Sequence, residues 1–184
     1  TVSATSDLSD PVVIGATETA SRLPAPGLLP SGPPPAGRAA RADVLTRVEA
    51  AARASRVGRV AYALDLDLGT SRRTYGGVAR LRFPVSGTGD LFLDFRGGEV
   101  TRLTVNGRAV TPERAGHRIL LPGGLLGATT EVEVAYENDY DRGGDGFHHF
   151  VDPEDGAEYA YSNFEPFEAH RLFPCFDQPD LKGT

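Results

Sequence analysis

The 184-residue chain contains no methionine and no tryptophan, and its one cysteine is Cys175. A single thiol excludes an internal disulfide framework, and it fits a reduced cytosol and a cysteine-poor secreted protein equally. The missing methionine leads to the expectation that the chain is a processed or excised piece of a longer polypeptide. Long apolar runs are also missing. Nothing approaches the roughly 18 residues needed to cross a bilayer as a helix, and no basic region followed by an apolar stretch opens the chain, so no membrane span is expected. An extension on a cytosolic enzyme is preferred to a tether left by a removed export signal, since nothing of such a signal remains. Basic clusters are absent as well. With a net charge of −6, a pI near 5.2 and scattered cations, the chain offers no surface for phosphates, and nucleic acid is not an expected partner.

Large apolar side chains are scarce over residues 1–41, where Pro33, Pro34 and Pro35 stand in tandem among Gly, Ala, Ser and Thr. Such a segment cannot offset about 1–2 kcal/mol of backbone entropy per ordered residue and reads as a disordered tail or linker. Residues 42–184 are long enough for one domain with a sizeable core. Asp43 is placed to cap a short amphipathic helix, with Val44, Leu45, Val48, Ala51 and Ala52 on the inner face and Arg47, Glu49 and Arg53 outside. The period then changes to two: Val60, Tyr62, Leu64, Leu66 and Leu68 alternate with smaller or polar residues, the pattern of a half-buried strand. Further strands are predicted at Ala79 to Val85, Leu91 to Phe95, Val100 to Val105, His117 to Leu121, Thr130 to Tyr136 and Glu158 to Ser162. Asn106-Gly107 supplies two residues that accept positive φ, the requirement of a tight hairpin turn. The stretch from Glu137 to Glu158 is acidic and glycine-rich, and Phe167 to Leu172 reads as a turn or two of helix ended by Pro174. The fold class is all-β: an antiparallel β-sandwich or saddle-like sheet domain behind a short helix and a tail.

Candidate chemistry concentrates beyond Glu137. Asp139, Asp141 and Asp145 loosely evoke a calcium loop, because hard cations need converging carboxylates. Gly143 stands at the third acidic position of such a loop and Phe150 at its twelfth, so a solvated turn is the preferred reading. His148 and His149 are adjacent, and neighbours on a strand point to opposite faces, which argues against one shared ion. His117 and His170 lack a paired ligand at helical spacing, and no His-Glu-x-x-His occurs. Cys175, between Pro174 and Phe176 with no base nearby in sequence, reads as a buried, inert thiol. Glu165 follows a predicted strand in Ser162-Asn163-Phe164-Glu165-Pro166, and Pro166 biases its predecessor toward extended geometry. A carboxylate so fixed can be aimed into a cleft; a salt bridge to Arg171 or another surface cation is the alternative.

FHHFVDP (147–153) followed by YSNFEPFEAHRLFPCFDQPD (161–180) resembles the aminopeptidase N family of zinc metallopeptidases, the gluzincins. The resemblance lies in the order of elements: Val151-Asp152-Pro153, the Asn163-Phe164-Glu165-Pro166 turn, then Arg171, Pro174, Cys175, Phe176-Asp177, Pro179 and Lys182. It extends over Ala42 to Thr184 and implies that family's amino-terminal β-domain. The implied parent is a zinc aminopeptidase that acts on peptides with a free amino terminus. Its zinc is held by two His and a Glu of a catalytic domain that this chain lacks, so no catalytic or metal residue is assigned here and the fragment is expected to be inactive. By position, Glu165 is implied to meet the substrate's ammonium group, where charge-assisted hydrogen bonds distinguish a free amine from a blocked one. Asn163 replaces the more usual Gln of the family turn and, one methylene shorter, reaches less far toward the first substrate side chain. Arg171 and Asp177 fall on positions read as structural, an ion pair or capping network fixing the loop that carries Glu165. The chain's own catalytic domain is the implied partner. The alternative is a non-catalytic relative in which the β-domain is a protein-interaction platform, a role with no need of Glu165.

Overall fold

The computed structural model describes residues 2–3, 44–69 and 73–184, the first pair as backbone only. Along them run β1 (Val2–Ser3), α1 (Arg47–Ala54), β2 (Ala61–Asp67), β3 (Thr74–Pro84), β4 (Leu91–Asp94), β5 (Glu99–Val105) and β6 (Arg108–Val110). There follow β7 (Arg114–Ala115), β8 (Arg118–Leu121), β9 (Thr129–Asp139), β10 (Gly146–Val151) and β11 (Glu158–Asn163), with single 3-10 turns at Gly123–Leu125 and Ala169–Arg171. Six strands form one sheet in the order β1-β2-β3-β9-β5-β6, three form a second in the order β4-β8-β7, and β10 and β11 make a separate ribbon. Every ladder among these strands is antiparallel.

The two larger sheets share one core. Alternation buries Leu81 and Phe83 of β3, Leu103 and Val105 of β5 and Val132 and Val134 of β9 on one side, and Leu91, Leu93, Ile119 and Leu121 of β4 and β8 on the other. Each such side chain contributes about 1.5–3 kcal/mol of hydrophobic stabilisation when fully buried. The outer face of the six-stranded sheet is polar and carries a ladder of ion pairs in which Arg80 bridges Asp65 and Glu133, and Glu133 also meets Arg102 at 2.9 Å. Asn106 (φ 49°) and Gly107 (φ 75°) form the β5–β6 turn, as their positive φ preference predicts.

Three features differ from the sequence reading. The helix is capped by Thr46, whose hydroxyl accepts from the Glu49 N–H while the Glu49 carboxylate accepts from the Thr46 N–H, a capping box; Asp43 lies outside the described residues. The helix is also turned the other way: Arg53 is 3% exposed and points inward, whereas Val48 is 80% exposed. Its reach is what allows this, because an aliphatic stem packs while the guanidinium finds polar partners in the sheet. Finally, β9 runs on to Asp139 and β10 spans Gly146–Val151, so strand residues flank the Gly143-Gly144 turn inside the acidic, glycine-rich stretch. Of the tail, Val2–Ser3 pairs with β2; residues 4–41 lie outside the described residues.

Candidate functional site

The ribbon of β10 and β11 places the Glu165 turn. Gly146 pairs with Asn163, His148 with Tyr161 and Phe150 with Tyr159, and alternation puts these on one face. The opposite face, through Phe147 and His149, packs on Tyr75 and Tyr140, with Phe147–Tyr75 centroids 5.0 Å apart and Tyr140–His149 centroids 5.2 Å apart. His148 stacks on Tyr161 at 4.9 Å. The two histidines thus face apart, His148 using Nδ1 on the Asp141 carbonyl (3.0 Å) and His149 using Nε2 on Glu158 (3.1 Å).

Asn163 ends β11 exposed, its amide donating to the Gly144 carbonyl at 3.2 Å. Two residues on, Glu165 is exposed and joined to Pro166 by a cis peptide bond. The turn is closed by the Glu168 N–H donating to the Phe164 carbonyl at 3.0 Å. Arg171 does not pair with Glu165. Its guanidinium binds the Glu168 carboxylate through Nε and Asp141 Oδ1 through Nη1 at 2.9 Å. The other oxygen of Asp141 accepts from the Phe147 N–H at 3.0 Å, at the start of the ribbon. Behind the turn, the Arg171 carbonyl accepts from the buried amide of Asn138 at 2.8 Å and from the Tyr75 hydroxyl at 3.0 Å. Burial pushes the Tyr75 phenol well above its ordinary range, so it remains a neutral donor.

Asp177 occupies a second network. Its Oδ2 accepts from the His170 N–H at 3.1 Å and lies 2.5 Å from His170 Nδ1, holding the first turn of the Ala169–Arg171 helix. Its own N–H donates to Asp94 Oδ2 at 3.0 Å, and the Asp94 carboxylate also meets Arg53 Nη1 at 2.7 Å. Burial raises the Asp94 carboxyl, and Arg53 opposes that shift only in part. Gln178 completes the cluster with Oε1 2.5 Å from Arg53 Nε. Cys175 is buried, paired backbone to backbone with Asp94, and its thiol is pushed well up by burial, with Asp177 and Asp94 adding to the shift. The second half of the motif is therefore stitched to β4.

None of the described residues forms a cluster of three or more His, Cys, Asp or Glu able to hold a metal ion. Asp141 is committed to Arg171, Asp139 and Asp145 do not join it, and His170 is committed to Asp177 although its ring lies 5.9 Å from that of His117. The described residues thus do not fit a zinc centre. No described helix is long and apolar enough to cross a membrane.

The described residues thus form an antiparallel β-domain that carries the exposed Glu165 carboxylate on a braced turn. Residues 60–184 match the Peptidase M1 N-terminal domain, and the chain belongs to the M1 peptidase family through that domain. It is 40% identical over 145 residues to aminopeptidase N of Streptomyces lividans, a match that takes in 76% of this chain and 17% of that protein. It is 26% identical over 123 residues to a probable aminopeptidase 1 of Sulfurisphaera tokodaii, 67% of this chain and 15% of that one. The chain spans only about a sixth of the length of these relatives. Among solved structures, the fold is similar to that of native yeast LTA4 hydrolase (TM-score 0.56, 18% identity, 70% of this chain and 22% of that one). It is also similar to an M1 zinc metallopeptidase from Deinococcus radiodurans (TM-score 0.53, 19% identity, 67% and 29%).

Proposed function

We propose that this chain is the amino-terminal, substrate-anchoring domain of a zinc-dependent aminopeptidase that releases amino acids from peptide N-termini. Family membership supports the class of reaction. The observation that carries the anchoring role is Glu165, an exposed carboxylate at the apex of a turn whose ends are tied down by backbone and ionic bonds. An exposed carboxylate attracts an ammonium 4 Å away by only about 1 kcal/mol in water, and the same pair gains severalfold at the lower effective dielectric of a partly covered site. Glu165 therefore needs a second wall before it can select a free amine. Phe167 in the turn, and Tyr161, Tyr159 and Phe150 along the ribbon that leads to it, each about half exposed, offer apolar surface for a partner to cover. The partner is the chain's own catalytic domain.

Zinc and the groups that cleave the peptide bond belong to that remaining polypeptide. This chain's part is to orient the substrate: with the ammonium held at Glu165, only the first peptide bond can lie at the reactive centre. Asn163, two residues back on the aromatic face of the ribbon, borders the space next to the first substrate side chain.

The test is a paired measurement on residues 1–184 and on the full-length protein. Stoichiometric zinc by atomic absorption and hydrolysis of an amino-acid anilide are expected for the full-length protein, and neither for residues 1–184. Hydrolysis or stoichiometric zinc in residues 1–184, or a full-length protein inert toward every free-amine substrate, would contradict the proposal.

A further inference from the structure

The bonds around the Glu165 turn form a closed circuit. Asp141, which links β9 to the ribbon, holds the second residue of β10 through the Phe147 N–H and holds Arg171 through its other oxygen. Arg171 holds Glu168, and the Glu168 N–H returns to the Phe164 carbonyl, next to Asn163. Asn163 in turn pairs with Gly146 across the ribbon, which leads back to Phe147 and Asp141. The residues inside this circuit are those assigned to the substrate. The packing leaves no slack: a Cβ on Gly146, whose φ is +109°, would stand 1.9 Å from Asp141 Oδ2 and 2.9 Å from Arg171 Cδ.

We infer that Asp141, Arg171 and Glu168 act as a positioning clamp that sets the place of the Glu165 carboxylate, so that amine recognition depends on an ion-pair triad that does not touch the substrate. Three observations support this. Both partners of the Asp141–Arg171 pair are about four-fifths buried, so their attraction is far less screened than that of surface pairs such as Arg82–Glu131. A guanidinium donating from Nε and Nη1 to two different carboxylates fixes its own plane, which a lysine could not do. The backbone of Arg171 is itself immobilised by Asn138 and Tyr75, so the clamp is referred to β3 and β9 of the main sheet rather than to the ribbon alone. The turn between Phe164 and Glu168 is thereby indexed to the sheet at both ends, and a carboxylate held in this way loses little entropy when the amine arrives.

The inference rests on the reading of Glu165 as the amine anchor, and a double-mutant cycle in the full-length enzyme separates the two. The catalytic efficiency kcat/KM on an amino-acid anilide is measured for wild type, Asp141→Asn, Glu165→Gln and the double variant. A clamp that acts through Glu165 predicts about a tenfold loss for Asp141→Asn and a larger one for Glu165→Gln, with the double variant no worse than Glu165→Gln alone. Hydrogen exchange of the amides between Phe164 and Glu168 is expected to accelerate in Asp141→Asn while those of β3 and β9 stay protected. If Asp141→Asn does not fold, Glu168→Gln and Arg171→Lys each open another link of the circuit and enter the same cycle. Losses that multiply in the double variant, or an Asp141→Asn enzyme of wild-type efficiency beside an impaired Glu165→Gln enzyme, would overturn the clamp and leave the anchor standing. An unimpaired Glu165→Gln enzyme would overturn both.

Discussion

Glu49 shows how strongly single side chains of this domain are held by distant partners. The Arg118 guanidinium, 2.6 Å away and 69 residues on, holds the Glu49 carboxyl down to about 2, with Thr46 reinforcing it and burial opposing it. Since the folded value lies below the ordinary 4.5, this contact contributes stability above pH 4.5 and loses it as the pH falls toward about 2. A carbon-detected titration of Glu49 is expected to show a midpoint near 2 in the native protein and one in the ordinary carboxylate range in Arg118→Met. A native midpoint already in the ordinary range would contradict the arrangement. The residue scale is also where sequence reasoning was weakest. Asp141 reads locally as one of three acidic residues of a loose cation loop, because its partner Arg171 lies 30 positions away and such pairs leave no local pattern. The capping box was hidden for a different reason: Thr46 and Glu49 have the required spacing, but Asp43 lies just ahead and competes for the role.

At the scale of elements, α1 docks by polar contacts rather than by an apolar stripe. Arg53 reaches Asp94 and Gln178 and lies between the rings of Phe92 and Phe176, 4.7 and 5.5 Å from their centroids, and the Gln178 amide donates to the Ala50 carbonyl. Helical periodicity points to Val44 and Val48 as the inner face, yet both are exposed. An eight-residue helix has too few apolar side chains for the stripe to outweigh one buried guanidinium with good partners. Arg53→Met leaves Asp94 buried without its counter-charge, and a cost of about 3–5 kcal/mol is expected in denaturant unfolding at neutral pH. A change below about 1 kcal/mol would show that the cluster is not what holds the helix. Strands with clean alternation, such as β2 and β9, were legible because one face is core and the other polar. The start of β3 at Tyr75-Gly76-Gly77 and all of β10 were obscured by glycines that read as turns. In the sheet Gly77 serves close packing: a Cβ there would lie 2.5 Å from the ring of Tyr136.

For the whole molecule, the chain is a braced β-domain that spans 17% of the length of aminopeptidase N, with its motif divided between two tasks. The half from Phe173 to Asp180 is bonded to β4 and α1, with Cys175, Phe176 and Gln178 buried, while most of the turn from Asn163 to Phe167 is exposed. The order of motif residues made the family legible in the sequence. That Glu165 is braced from β9, rather than paired with Arg171, required the fold. The most direct test of the central claim is kcat/KM of the full-length enzyme and its Glu165→Gln variant on a free-amine anilide. Loss of a charge-assisted contact in a covered site predicts a fall of about 30-fold or more, corresponding to 2 kcal/mol or above, at unchanged zinc content. Equal catalytic efficiency in the two enzymes would contradict the account.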